Sequence, residues 1–286
     1  MAGSEAPAMK DPDCIRLLRW ALPRLGMRWP GFRKVRGGVC KRIGRRMRAL
    51  GLPDADAYRA HLESHPGEWE TLDGLCRVSI SRFFRDKRVF ENLTERVLPE
   101  IAARAVASGE REIRCWSAGC ASGEEPYTLS LAWRLALRPR FPGLRFRVLG
   151  ADSDPRLLER AAAGLYPFSS VRDLPADWRE RAFERRGEDF RLRDAHREGV
   201  RFLRQDVRAE SPGGNFHLIL ARNLVFTYFA PDLQRAVLER FVEKLRPGGF
   251  LVLGSHETLP EGGEGLAPWP GDMSIHRKAE APDGGG

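Results

Sequence analysis

Apolar residues recur along the first hundred positions at intervals of three and four. Within "GVCKRIGRRMRAL", residues 38–50, Val39, Ile43, Met47 and Leu50 share one helical face and basic residues fill the gaps. Residues 13–30 keep the same period until "RWPGF" interrupts it. "GLPDADAYRAHLESHP" reads as a further helix, bracketed by Gly51, Pro53 and Pro66. "EWETLDGLCRVSI" is another. After a break near residues 79–81, "SRFFRDKRVFENLTERVLPEIAARAVA" resumes the helical period. This pattern predicts a small all-helical N-terminal domain and linker over residues 1–95.

The pattern then changes. Short apolar runs, "EIRCWSA", "RFRVLGAD", "GVRFLRQDV", "NFHLILARN" and "FLVLGS", alternate with amphipathic helical stretches, and "MSIHRK" adds a sixth strand. Such alternation predicts an α/β domain built on a mostly parallel sheet. It is placed at residues 96–278, with a small β-subdomain at about 178–204 and a disordered tail at 279–286. The nearly unbroken apolar run in "NFHLILARN" predicts a strand buried on both faces.

Composition narrows the class. Hydrophobic residues at 42% and charged residues at 30% are enough to form a globular core. A formal net charge of +9 and a pI near 9.7 point to acidic partners. No run approaches the roughly 18–20 apolar residues of a membrane span, and the first residues lack the apolar core of a signal peptide. The five cysteines, Cys14, Cys40, Cys76, Cys115 and Cys120, are odd in number and form no CxxC pair. Neither a disulfide framework nor a zinc site is expected from them. The expectation is a cytoplasmic, reduced, metal-free protein that inserts into no membrane.

The stretch "CWSAGCASGEEPYTLSLAW", residues 115–133, joins the first strand to the first helix of the α/β region. Ligands bind at that position in such sheets. A phosphate cradle fails for want of GK[ST], and a dinucleotide fingerprint is weak because the third glycine is missing at the proper spacing. Glu124 and Glu125 open the helix, so a pyrophosphate would meet two negative charges. S-adenosylmethionine suits the loop better: it carries a sulfonium and an amino group and no phosphate. Asp152, ending the second strand, supplies an acceptor for its ribose hydroxyls.

Four blocks in order, "GVCKRIGRRMRALGL", "VSISRFFRDKRVFENL", "WSAGCASGEEPY" with "ADSDPRLLERAAAGLY", and "LARNLVFTYFAPDLQRAVLERFVEKLRPGGFLVLGSHE", resemble the CheR-type methyltransferases. These enzymes methylate glutamate side chains of bacterial chemoreceptors with S-adenosylmethionine, leaving S-adenosylhomocysteine. The resemblance spans roughly residues 38–258. It implies a Rossmann-like methyltransferase domain behind a helical N-terminal domain. It further implies that Ser79, Ser81 and Arg85 approach the cofactor and its methyl group, and that Ala118 and Glu124 meet the methionine end. Asp152 would bind the ribose, with Asp206 and Val207 beside the adenine. Arg222, Asn223 and Tyr228 would line the methyl site, with Arg85 and Tyr228 as the catalytic pair. Arg42, Arg45, Arg46 and Arg48 match a basic helix that faces an acidic receptor. The partner implied is an acidic protein, a chemoreceptor cytoplasmic domain. No nucleic acid is expected, since the "[DNS]PP[YFW]" motif is absent.

The sequence departs from the family pattern in places. "RNLVFTYF" is one residue longer before Tyr-Phe. His217 replaces an aspartate, and Ser79 stands where some members carry asparagine. The β-subdomain region is short and lacks the glycine-rich loop that docks a receptor's C-terminal pentapeptide, so no such tether is expected. "WPGFRKVR", near residue 29, has no family match and reads equally as a lid, a partner contact or a brace. Phe83 and Phe84 read as core anchors, His217 as packing or a satisfied surface histidine, and His256 and Glu257 as the end of a strand. Two other readings stay open: the same fold acting on another acidic protein or a small carboxylic acid, and a module that binds the cofactor without turnover.

Overall fold

The computed structural model describes residues 9–261, 263 and 265–280. The chain forms two compact units. One runs to Ser79 and takes in Thr227–Leu233; the other holds Ile80–Phe226 and the chain from Gln234 onward.

The first unit is helical: Asp11–Ala21, Arg36–Ala49, Ala55–Ser64 and Glu68–Cys76, with short turns at Leu22–Leu25 and Trp29–Phe32. Val39, Ile43 and Met47 face its core beside Leu17, Leu18, Phe32, Tyr58, Leu62 and Leu72. Asp54 caps its helix by accepting from Ala57 N at 2.8 Å. The cysteines correct the sequence reading. Cys14 and Cys40 form a disulfide with their Cα atoms 5.9 Å apart. They lie on different helices, so the pairing is tertiary and leaves no local spacing signal. Cys76, Cys115 and Cys120 are buried thiols, and desolvation pushes Cys76 up to about 12.

The second unit holds a seven-stranded sheet. Its strands are β1 (Glu112–Ala118), β2 (Arg145–Asp152), β6 (Val200–Arg204), β7 (Phe216–Leu220), β8 (Leu245–Val252), β9 (Leu266–Trp269) and β10 (Asp272–Lys278). They lie in the order β6-β2-β1-β7-β8-β10-β9. The first five run parallel, and β10 is antiparallel to both β8 and β9. Strand order reverses beside β1, between β2 and β7, which opens a crevice at their carboxyl ends. β7 is buried at every position, as its apolar run predicts. On one sheet face Trp116 packs edge-on to Phe241 of helix Pro231–Lys244, at 5.2 Å between rings. On the other, Tyr127 and Phe202 meet at 5.5 Å.

Three boundaries differ from expectation. Residues 80–95, expected in the helical domain and linker, belong to the α/β unit, because Phe83, Phe84, Phe90 and Leu93 fill its core. The small sheet is β3-β5-β4, made of β3 (Leu165–Pro167), β4 (Phe183–Arg186) and β5 (Asp189–Leu192). It therefore starts before residue 178, and Val200–Arg204 instead pairs with β2 in the main sheet. Most of the expected 279–286 tail lies outside the described residues. Among the described residues no helix is long and apolar enough to cross a membrane.

Candidate functional site

β1 ends at Ala118, which is buried. The loop after it is pinned to β2: Gly119 N and Cys120 N both donate to the Ala151 carbonyl, at 2.8 and 3.0 Å. Gly119 has φ +76°, a backbone that favours glycine, and a Cβ there would overlap the Leu224 side chain. Gly123 has φ +87°, and a Cβ would press on Ala161 at 2.8 Å. Helix Glu124–Ala132 then begins.

Glu124 is 1% exposed. Ser122 Oγ donates to its Oε1 at 3.2 Å, and Oε2 has no partner. Burial pushes this carboxyl above the usual range, opposed first by its own backbone N–H and then by the nearby Ser81 and Ser122 hydroxyls. An unsatisfied acceptor with this burial is costly, and an ammonium group placed against Oε2 would relieve the cost. Asp152, at the end of β2, accepts from Ala121 N with Oδ2 at 2.9 Å and from Asp154 N with Oδ1 at 3.0 Å. A carboxylate accepts hydrogen bonds only, which suits it to hydroxyl donors. The following helix, Pro155–Ala163, starts at once because Asp154 caps it and Pro155 fits its first turn. Asp206 accepts from Arg208 N, Nε and Nη2, and Val207 is buried beside it.

Arg222 follows β7. Its side chain is 2% exposed and forms ion pairs at 2.8 Å with both Asp86 and Glu125. Nη2 also donates to the Arg85 carbonyl at 2.7 Å. Ser117 Oγ donates to Glu125 at 2.7 Å. Glu125 thus joins β1, the helix start and Arg222. Asn223 N donates to Glu257 Oε2 at 2.7 Å, and Gly254 N to the same oxygen at 2.8 Å. Glu257 therefore clamps the loop after β7 to the end of β8. The sequence reading took it for a strand end, and its adjacent glycine-serine turn was the signal for this second role.

Phe83 and Phe84 are core residues, as expected; Phe83 meets Tyr166 and Phe183 edge-on at 4.8 and 5.2 Å. Arg85 Nη1 donates to the Ile80 carbonyl. Four non-glycine residues have positive φ among the described residues: Phe84, Asp86, Ala121 and Asn223, at +57°, +60°, +49° and +58°. All four lie in the loops just described. Left-handed backbone at such residues costs of order 1–3 kcal/mol each; Asp86 is held by Arg222, Asn223 by Glu257 and Ala121 by Asp152.

The basic helix Arg36–Ala49 divides its arginines. Arg42 donates to the Leu75 and Arg77 carbonyls, both at 2.8 Å. Arg46 makes a bidentate pair with Glu68 at 2.9 and 2.7 Å, and Tyr58 donates to the same carboxylate. These two hold the helical unit together and do not form the expected outward surface. Arg45 and Arg48 are exposed, together with Lys41. Ser79 is exposed in the helical unit. Tyr228 also belongs to that unit, half-buried, with its ring edge-on to Phe32 at 5.1 Å. His217 accepts from Arg114 N at 3.1 Å and contacts Glu110 at 3.1 Å, a packed residue as expected. Burial and the nearby Arg246 lower its basicity.

Family comparison matches residues 79–269 to "CheR methyltransferase, SAM binding domain" and residues 36–72 to "CheR methyltransferase, all-alpha domain". The chain belongs to the CheR methyltransferase family. S-adenosylmethionine is accordingly its cofactor, and the loop geometry fits it: a buried acceptor for an ammonium in Glu124 and a carboxylate for hydroxyls in Asp152. Among similar proteins, the chemotaxis protein methyltransferase of Escherichia coli strain K12 is 34% identical over 264 residues, covering 90% of this chain and 87% of that one. The chemotaxis protein methyltransferase of Listeria monocytogenes is 30% identical over 199 residues, covering 70% and 72%. An uncharacterised 104.1 kDa protein of Rhodobacter capsulatus is 34% identical over 225 residues; these cover 78% of the CheR-family chain but only 23% of that protein.

Proposed function

We propose that this methyltransferase transfers the methyl group of S-adenosylmethionine to glutamate carboxylates of a chemoreceptor cytoplasmic domain or a closely similar acidic signalling protein. The observation that carries the reading is Glu124: buried, with an orphaned oxygen, at the mouth of the loop that opens the crevice. The cofactor supplies a methyl group already activated by its sulfonium. The residues of the chain bind and orient. Glu124 receives the ammonium and Asp152 the ribose hydroxyls, with Ala118, Asp206, Val207, Ser79, Ser81 and Asn223 completing the bed. Arg85, its Nη1 tied to the Ile80 carbonyl, presents its remaining donors to the acceptor carboxylate. Tyr228 fixes the acceptor's approach. A carboxylate is an adequate nucleophile, so positioning is the main task and no general base is required.

Arg222 acts behind this set, holding Arg85 and Asp86 in place. Exposed Lys41, Arg45 and Arg48 supply charge toward an acidic partner, with no pentapeptide tether. Calorimetry with S-adenosylhomocysteine, and transfer of a labelled methyl group from S-adenosylmethionine to a receptor cytoplasmic fragment, test the proposal. Saturable binding and a base-labile methyl ester on glutamate are expected. Binding without any transfer to the fragment would reject the acceptor assignment.

A further inference from the structure

The segment Gly26–Phe32 is wrapped on Thr227–Ala230 by a set of contacts that the chemistry above does not use. Arg28 N donates to the Tyr228 carbonyl at 2.8 Å, and Arg28 Nε to the Thr227 carbonyl at 3.1 Å. Ala230 N returns a bond to the Gly26 carbonyl at 2.8 Å, and Met27 bridges Phe229 in antiparallel fashion. Both backbone groups of the tyrosine's neighbourhood are therefore fixed by one short stretch. The ring is fixed as well: Phe32, 1% exposed, stands edge-on to Tyr228 at 5.1 Å.

Gly31 makes the fit possible. A Cβ at this position would overlap the Thr227 carbonyl oxygen and lie 3.1 Å from Tyr228 Cδ1. The first of these is backbone and has no rotamer by which to yield. Any larger residue at position 31 must push the two segments apart, and Tyr228 is the side chain carried on the displaced piece.

We infer that Gly26–Phe32 is the seat of Tyr228, with Gly31, Arg28 and Phe32 as positioning residues that set the tyrosine's place without touching cofactor or acceptor. The inference rests on the reading of Tyr228 as a residue of the methyl-transfer site. It accounts for "WPGF", which is structural in the sense that it aims another residue. A displacement of a reacting-site group by about 1 Å costs up to roughly a hundredfold in rate.

The test is a double-mutant cycle read in kcat for methyl transfer to the receptor fragment, with S-adenosylhomocysteine affinity measured alongside. Tyr228→Phe alone lowers kcat. Gly31→Ala alone lowers kcat by roughly ten- to a hundredfold and leaves cofactor affinity and KM for the fragment near wild type. In the Tyr228→Phe background, Gly31→Ala adds little, because both changes remove one function. Phe32→Leu, which leaves the backbone contact intact, follows the same course with a smaller loss and serves if Gly31→Ala does not fold. Losses that multiply in the double mutant overturn the seat while leaving Tyr228 in the site. A Tyr228→Phe enzyme with unchanged kcat rejects the reading of Tyr228, and the seat with it.

Discussion

Glu124 sets two requirements against each other. Its carboxyl is raised by burial, so the ionised form costs the empty protein stability at neutral pH. The sign follows from linkage: a folded-state value above the unfolded one, near 4.5, means stability is regained as pH falls through the raised value. Binding an ammonium needs the opposite, the ionised form. Glu124→Gln is therefore expected to raise the melting temperature of the cofactor-free protein at pH 7 while weakening S-adenosylhomocysteine binding by about tenfold or more. Thermal melts and calorimetry on one preparation decide it; a variant that loses both stability and affinity would show a packing role instead. Arg222 is the complementary case. With two carboxylates on one buried guanidinium, its loss would strand both, a change of the kind that costs about 3–5 kcal/mol. Its contribution is to the shape of the loops around the site.

At the scale of elements, the helix Arg36–Ala49 shows what periodicity conveys. At about 100° per residue, Arg46 and Arg42 lie roughly 60° and 100° from Ile43, while Lys41, Arg45 and Arg48 lie near the opposite side. The division between inward and outward arginines was thus present in the sequence as helix phase. A resemblance by position does not convey it. Arg45→Glu with Arg48→Glu is expected to raise KM for an acidic acceptor and flatten its salt dependence, with kcat little changed. Arg42→Ala should act on stability instead. The Cys14–Cys40 link was not legible, because its two ends meet only when separate helices cross. A disulfide closing a loop of this length stabilises by roughly 3 kcal/mol in the chain-entropy account, so added reductant should lower the melting temperature of wild type and leave Cys14→Ser unmoved. Strand Leu266–Trp269 was also missed. Pro268 breaks its pattern, yet β9 is the sheet's edge, where a missing N–H is tolerated.

For the whole molecule, the alternation of strand and helix was enough to give the parallel sheet, since each element's period is local. The loop after β1 was enough to name the cofactor, since its glycines and glutamates sit within a few residues of each other. What escaped was membership: Phe83 to Leu93 were assigned to the helical domain and linker, yet their apolar side chains fill the α/β core. Thr227–Leu233, by contrast, lies within the α/β sequence and packs into the helical unit. The chain accordingly passes between the two units three times, after Ser79, after Phe226 and after Leu233. No single cut in the gene separates them. A fragment that begins at residue 80 would keep the cofactor loop intact while stripping the hydrogen bonds and the ring contact from the stretch that bears Tyr228. Such a piece would serve for titrating a nucleoside and would mislead about turnover.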